Sequence, residues 1–194
     1  MAIIIADAWG RCQIRDDARM RIFLVGLMGT GKTTIGRQLA TETGWPYYDN
    51  DRLVEAANGR AAPELIRDEG EDGLHAAEMA AFEFALTLPQ PVIVGVAAFV
   101  VAEAEGRERL RSAGVVVWLR ADPATLVERA SHAEGRRDEA TSLSWMERVA
   151  AERDPWFREV ATITVDTETM RPKAIVAAIL AHPSVAAELA RPGT

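Results

Sequence analysis

The chain has 194 residues, 48% of them hydrophobic and 26% charged, which suits one globular domain with a full apolar core. A formal net charge of −7 argues against general nucleic-acid affinity, and a single cysteine, Cys12, excludes an intrachain disulfide. Apolar runs such as Val115 to Leu119 are far too short to span a bilayer, and the N-terminal Ala-Ile-Ile-Ile-Ala stretch lacks a basic leader, so no membrane partner and a cytoplasmic location are expected.

Strand-like and helix-like segments alternate along the chain, which predicts a parallel sheet with helices on both faces. Arg21 to Val25 reads as a buried strand and Lys32 to Thr43 as a helix stopped by Gly44. Trp45 to Tyr48 reads as a second strand leading into Asp49-Asn50-Asp51. Short helices are predicted at Leu53 to Ala57 and Pro63 to Asp68, ended by Gly59 and Gly70, and a longer one over Glu71 to Leu88. Further strands follow at Pro91 to Val94, Val115 to Leu119 and Ile163 to Val165, five in all. Helices are predicted at Glu103 to Ser112, after Asp122-Pro123, around Ser144 to about Arg153, where Ser144 and Glu147 have capping-box spacing, and at Lys173 to Leu180. Residues 131–141 are polar, lack apolar periodicity and read as a mobile lid. Residues 20–182 form a single domain in this reading, and the tail 183–194 is expected to fray. For the extension 1–19, disorder, an added edge element and an over-called translation start all remain open.

Gly26-Leu-Met-Gly-Thr-Gly31-Lys32-Thr33 fits the pattern G-x-x-x-x-G-K-[ST], with an apolar strand before it and a helix after it. The glycines let backbone N–H groups converge on phosphate oxygens, and the helix adds its N-terminal dipole. Lys32 brings a positive charge to the β- and γ-phosphates, and Thr33 a hydroxyl ligand for Mg²⁺. Only Lys32 and Lys173 are lysines among 22 basic residues, so a lysine at the motif's Lys position is unlikely to be an accident of composition. The candidate ATP contacts are Gly26, Met28, Gly29, Thr30, Gly31, Lys32, Thr33 and Thr34. Asp49 and Asp51 close the second strand, and alternation along an extended segment would put both carboxylates on one side. One would serve the Mg²⁺ water shell and the other would accept a proton from a substrate hydroxyl. A solvated turn is the alternative for this pair. His75, His132 and His182 have no metal-ligand spacing, so no zinc site is expected.

From about Arg21 to Leu180 the chain resembles the shikimate kinase family. The likeness rests on the phosphate-loop run through Ala40, on Asp49-Asn-Asp51, Gly70-Glu71, Arg129, Arg136 and Arg153-Asp-Pro-Trp-Phe, and on Val160-Ala-Thr-Ile-Thr-Val-Asp-Thr. The resemblance implies a three-layer α/β/α P-loop fold of the nucleoside-monophosphate-kinase kind, with a five-stranded parallel sheet and a mobile lid. It further implies Arg129 and Pro172 on the adenine, Arg136 on the transferring phosphoryl group, Asp51 on the reacting hydroxyl and Arg153 on an anionic group of the substrate. The departures lie on the acceptor side. His75 stands where the family has an Arg, and Gly95-Val96-Ala97 where it has three glycines. The lid reads Arg136-Arg137-Asp138-Glu139 rather than Arg-Pro-Leu-Leu.

An Arg-to-His change replaces a fixed fork of donors by a smaller ring that is mostly neutral at pH 7, and Val96 and Ala97 add side-chain volume where the family's glycines let backbone approach the ligand closely. These departures lead to the expectation of a monomeric kinase that phosphorylates a small-molecule hydroxyl other than that of shikimate, with His75, Gly95, Val96, Ala97 and Arg153 in the acceptor site. Two other readings are carried: shikimate kinase itself, and an ATP-binding protein without turnover. The blander possibilities are that His75 is a surface helix residue beside Glu78, that Val96 and Ala97 only fill core, that Arg136 and Arg137 are a solvated pair, and that Arg153 is a structural ion-pair partner.

Overall fold

Arg21–Val25 (β1) is the middle strand of a five-stranded sheet whose order is β2-β3-β1-β4-β5, with β2 at Tyr47–Asp49, β3 at Val92–Gly95, β4 at Val115–Arg120 and β5 at Ile163–Asp166. All pairings are parallel; Phe23 lies beside Val94 on one side and Val116 on the other. The structure, a computed structural model, describes residues 20–131 and 142–190. The expected N-terminal extension, the lid residues 132–141 with Arg136, and residues 191–194 lie outside the described residues.

Alternation along β1 divides the core. Phe23 and Val25 join an apolar cluster with residues of α2 (Asn50–Asn58), α3 (Ala62–Thr87), α4 (Ala104–Ala113), α5 (Pro123–Ser131) and α6 (Leu143–Val160). Ile22 and Leu24 join a second cluster with residues of α1 (Lys32–Thr43), α7 (Pro172–Ala181) and α8 (Pro183–Leu189). The result is the expected three-layer arrangement. Among the described residues no helix is long and apolar enough to cross a membrane.

Several local features differ from expectation for identifiable reasons. The second strand begins at Tyr47, not Trp45, because Pro46 has no N–H to give. Its carbonyl alone accepts from Ile93 N, and Trp45 is buried in the core instead. The two helices predicted around Gly70 are present and follow one another directly as the two halves of α3, parted at that glycine, whose φ of 73° and ψ of −174° are not helical.

Helix α6 is capped by the Ser142 hydroxyl, which accepts from Trp145 N, and it does not end near Arg153. It continues through Pro155 to Val160, where Phe157 is fully buried and stacks on Trp118 with ring centroids 5.7 Å apart. Packing at Phe157 and Val160 outweighs the hydrogen bond that Pro155 removes. The tail does not fray from Pro183. Residues 183–189 form α8, capped by His182 and anchored by the fully buried Val185.

Candidate active site

The loop after β1 is shaped by its own backbone. Lys32 Nζ donates to the carbonyls of Gly26 and Leu27 at 2.8 and 3.1 Å, and the buried Thr30 hydroxyl donates to Leu27 O at 2.8 Å. Gly26 has φ 139°, and a Cβ there would stand 2.3 Å from Leu119 O, so the loop leaves the sheet against the backbone of β4. Helix α1 starts at Lys32 without a side-chain cap, and its N-terminus faces the hollow of the loop, the geometry that receives phosphate.

Asp49 ends β2 and caps α2. Its Oδ2 accepts from Thr33 Oγ1 at 2.7 Å and from Tyr47 Oη at 2.8 Å, while Oδ1 accepts from Asp51 N at 3.1 Å. Burial, and then the neighbouring Asp49 charge, push the Tyr47 phenol well above its ordinary range, so it stays a donor. The alternation expected to align Asp49 with Asp51 is not what does so. The strand stops at Asp49, and Asp51 lies in the first turn of α2, brought round by the cap. Both carboxylates nonetheless face the same cavity.

That cavity, about 550 Å³, runs from the phosphate loop to the far wall formed by α3 and the segment after β3. Met28 to Thr34, Asp49, Asp51, Arg129 and Pro172 line it, as do His75, Gly95, Val96, Ala97 and Arg153. Of the remaining predicted residues, Gly26 contributes through its carbonyl, and Arg136 lies outside the described residues. Among the described residues, Lys32, Arg129 and Arg153 are the Lys and Arg side chains on the lining, which they share with the carboxylates of Asp49, Asp51 and Glu78. Arg129 donates to Thr167 Oγ1 at 3.0 Å and Thr167 O at 2.9 Å, and more weakly to Gly29 O at 3.4 Å, which ties α5 to the end of β5 and to the loop.

At the acceptor end the His75 ring lies flat on Phe99, with centroids 3.7 Å apart and planes 4° apart. His75 is therefore part of the cavity wall and not a plain surface residue. Val96 is different. It is 1% exposed, belongs to the core cluster of Phe23, and its N–H continues the ladder to Leu24 O at 3.0 Å. Its bulk goes into the core. Tyr47, Phe99 and Thr167 escaped the sequence reading. Tyr47 stands two residues before Asp49 on the strand, a spacing that puts the two on one face, so this signal was available.

Among the described residues no group of three or more His, Cys, Asp or Glu is placed to hold a metal by itself. Thr33 and Asp49 offer a hydroxyl and a carboxylate at hydrogen-bond distance, an all-oxygen set. Such a set fits Mg²⁺, which keeps several waters and takes its other ligands from phosphates.

A profile of the family described as shikimate kinase matches residues 28–183. The shikimate kinase of Dechloromonas aromatica is 38% identical over 165 residues, covering 84% of this chain and 89% of that protein. That of Neisseria gonorrhoeae is 35% identical over 153 residues, covering 78% and 89%. Among solved structures, the shikimate kinase from Acinetobacter baumannii in complex with shikimate superposes with a TM-score of 0.77 at 28% identity, covering 83% of this chain and 90% of that one. A gluconokinase from Sinorhizobium meliloti, at 24% identity, 91% and 94% coverage and a TM-score of 0.60, shares the fold.

Proposed function

Because this chain belongs to the shikimate kinase family of small-molecule kinases, we propose that it transfers the γ-phosphoryl group of ATP, with Mg²⁺, to a hydroxyl of shikimate. The observation that carries the reading is the single cavity joining the phosphate loop to Asp51, His75 and Arg153. The neighbour whose structure contains shikimate supports the choice of acceptor. The expectation of a different acceptor yields to this one, because the family match and the relatives favour shikimate, and the bulk that Val96 and Ala97 were expected to add to the pocket is buried in the core cluster.

In this reading the backbone N–H groups of residues 26–33 and the N-terminus of α1 hold the phosphates, and Lys32 swings from its carbonyls to the β- and γ-oxygens. Arg129 and Pro172 flank the base. Thr33 and Asp49 would hold the cation, which would supply positive charge against the phosphates. Arg153 pairs with the acceptor's carboxylate, His75 forms the wall beside it, and Gly95 and Ala97 complete the pocket. Asp51 accepts the proton of the reacting hydroxyl as its oxygen bonds to the γ-phosphorus. The bond from that phosphorus to the β,γ-bridging oxygen breaks, and ADP leaves. Arg136 would add charge from the lid. The co-substrate ATP fits a cytoplasmic enzyme.

A second reading, another hydroxy acid as acceptor, is favoured by the His75 ring, which stands stacked on Phe99 where the family has an Arg. Coupled ADP release over shikimate, quinate, cyclitols and sugar acids separates the two. The expected result is saturable turnover with shikimate and the highest kcat/KM of the set. Turnover with another acid and none with shikimate would establish the second reading.

A further inference from the structure

Tyr47 has no part in the phosphate-transfer scheme above, yet the fold makes unusual room for it. Its ring crosses two glycines. A Cβ at Gly36 on α1 would meet Tyr47 Cε2 at 2.2 Å, and a Cβ at Gly95, at the end of β3, would meet Tyr47 Oη at 2.6 Å. Between them the hydroxyl reaches Asp49 Oδ2 at 2.8 Å, the same oxygen that takes the Thr33 hydroxyl at 2.7 Å. Oδ2 thus has both of its acceptor directions used by hydroxyls. Oδ1 accepts from Asp51 N at 3.1 Å and retains one. A carboxylate held at one oxygen by two side chains from different elements, and at the other by a backbone amide, cannot rotate without breaking bonds on both oxygens.

We propose that Tyr47 is a positioning residue for the magnesium site: by holding Asp49 Oδ2 together with Thr33, it turns Oδ1 toward the water shell of the cation. The inference rests on the ATP–magnesium reading above and adds a residue to it. It also gives Gly95 a second reason to be glycine, which is clearance for the Tyr47 hydroxyl in addition to approach of the acceptor. Partners that orient a metal's ligands typically change metal affinity by about 10- to 100-fold when removed. Here Thr33 remains in place, so the low end of that range applies.

The test is calorimetric titration of a β,γ-imido analogue of ATP into wild type and Tyr47→Phe, first in EDTA and then over a series of free Mg²⁺ concentrations. Thermal unfolding of each ligand-free protein checks that the fold is retained. The expected result is an unchanged affinity in EDTA, within about twofold, and a Mg²⁺ midpoint raised roughly tenfold in the variant. Gly95→Ala, which intrudes on the same hydroxyl, should shift the midpoint in the same direction and carries the test should Tyr47→Phe not fold. An unchanged Mg²⁺ midpoint overturns the inference. So does an equal loss with and without Mg²⁺, which would make Tyr47 a support of the loop as a whole. If the wild-type affinity itself ignores Mg²⁺, the ATP–magnesium reading falls, and this inference with it.

Discussion

The His75 imidazole is stacked face to face on the Phe99 ring, 3.7 Å between centroids, at the acceptor end of the cavity that begins at the phosphate loop. The contact joins α3 to the segment after β3, so one face of the ring is held by packing, and a hydrogen bond to a ligand must come from its edge. For an anionic acceptor this edge offers one or two donors where a guanidinium would offer five.

His75→Arg is therefore expected to tighten binding of shikimate. A charge-assisted hydrogen bond contributes roughly 1.5–3 kcal/mol, which corresponds to about a 10- to 100-fold lower KM with kcat nearly unchanged. Steady-state kinetics with shikimate as the varied substrate reads this directly. An unchanged KM would remove His75 from the acceptor wall.

Val96→Gly is expected to harm the protein without helping the acceptor. The side chain is 1% exposed within the main core cluster, so its loss leaves a cavity and adds backbone entropy, at a cost of about 2–4 kcal/mol. Thermal unfolding should show the drop, and the KM for shikimate should not improve. A lower KM at unchanged stability would mean that Val96 does restrict the acceptor.

Lys32→Ala should reduce kcat/KM by roughly 10²–10³-fold, the scale seen when one charge-stabilising group is removed from a transition state. The two carbonyls that Lys32 now contacts, Gly26 O and Leu27 O, return to solvent, so the unfolding midpoint should move little. ADP release measured beside circular dichroism checks both halves of the statement.

Gly36→Ala reverses an ordinary rule. In a helix interior, alanine usually gains about 0.5–1 kcal/mol over glycine. Here the added Cβ would lie 2.2 Å from the Tyr47 ring, and overpacking of this kind costs about 1–3 kcal/mol. A lower melting temperature is expected, and Tyr47→Ala in the same chain should recover part of the loss. Additive losses in that double variant would show that the two positions do not touch.

What could be read in the sequence was whatever is decided locally. The phosphate loop, the strand before it and the helix after it follow from residues within a few positions of one another, and so does the break at Gly70. The continuation of α6 through Pro155 was hidden because it depends on Phe157 meeting Trp118 across the fold. Helix α8 was hidden because its anchor, Val185, is buried in a cluster whose other members come from strands and helices elsewhere in the chain. Asp51 was placed on the right side for the wrong reason, because a cap at Asp49 looks like continuing strand until the helix after it is seen. On the acceptor side, Val96 was weighed as pocket bulk; only the packing shows that its methyl groups enter the core.

The position of β1 sets the order in which a growing chain can become active. Arg21 needs Val92 beside it and Val25 needs Trp118, so β1 has its partners only after β3 and β4 have been synthesised. Gly26 likewise rests on the backbone at Leu119. A nascent chain ending within α3 therefore carries the whole phosphate-binding motif with no sheet to display it on. Arrested translation products of increasing length should acquire nucleotide binding abruptly, as β4 clears the exit tunnel, and not when the motif itself emerges.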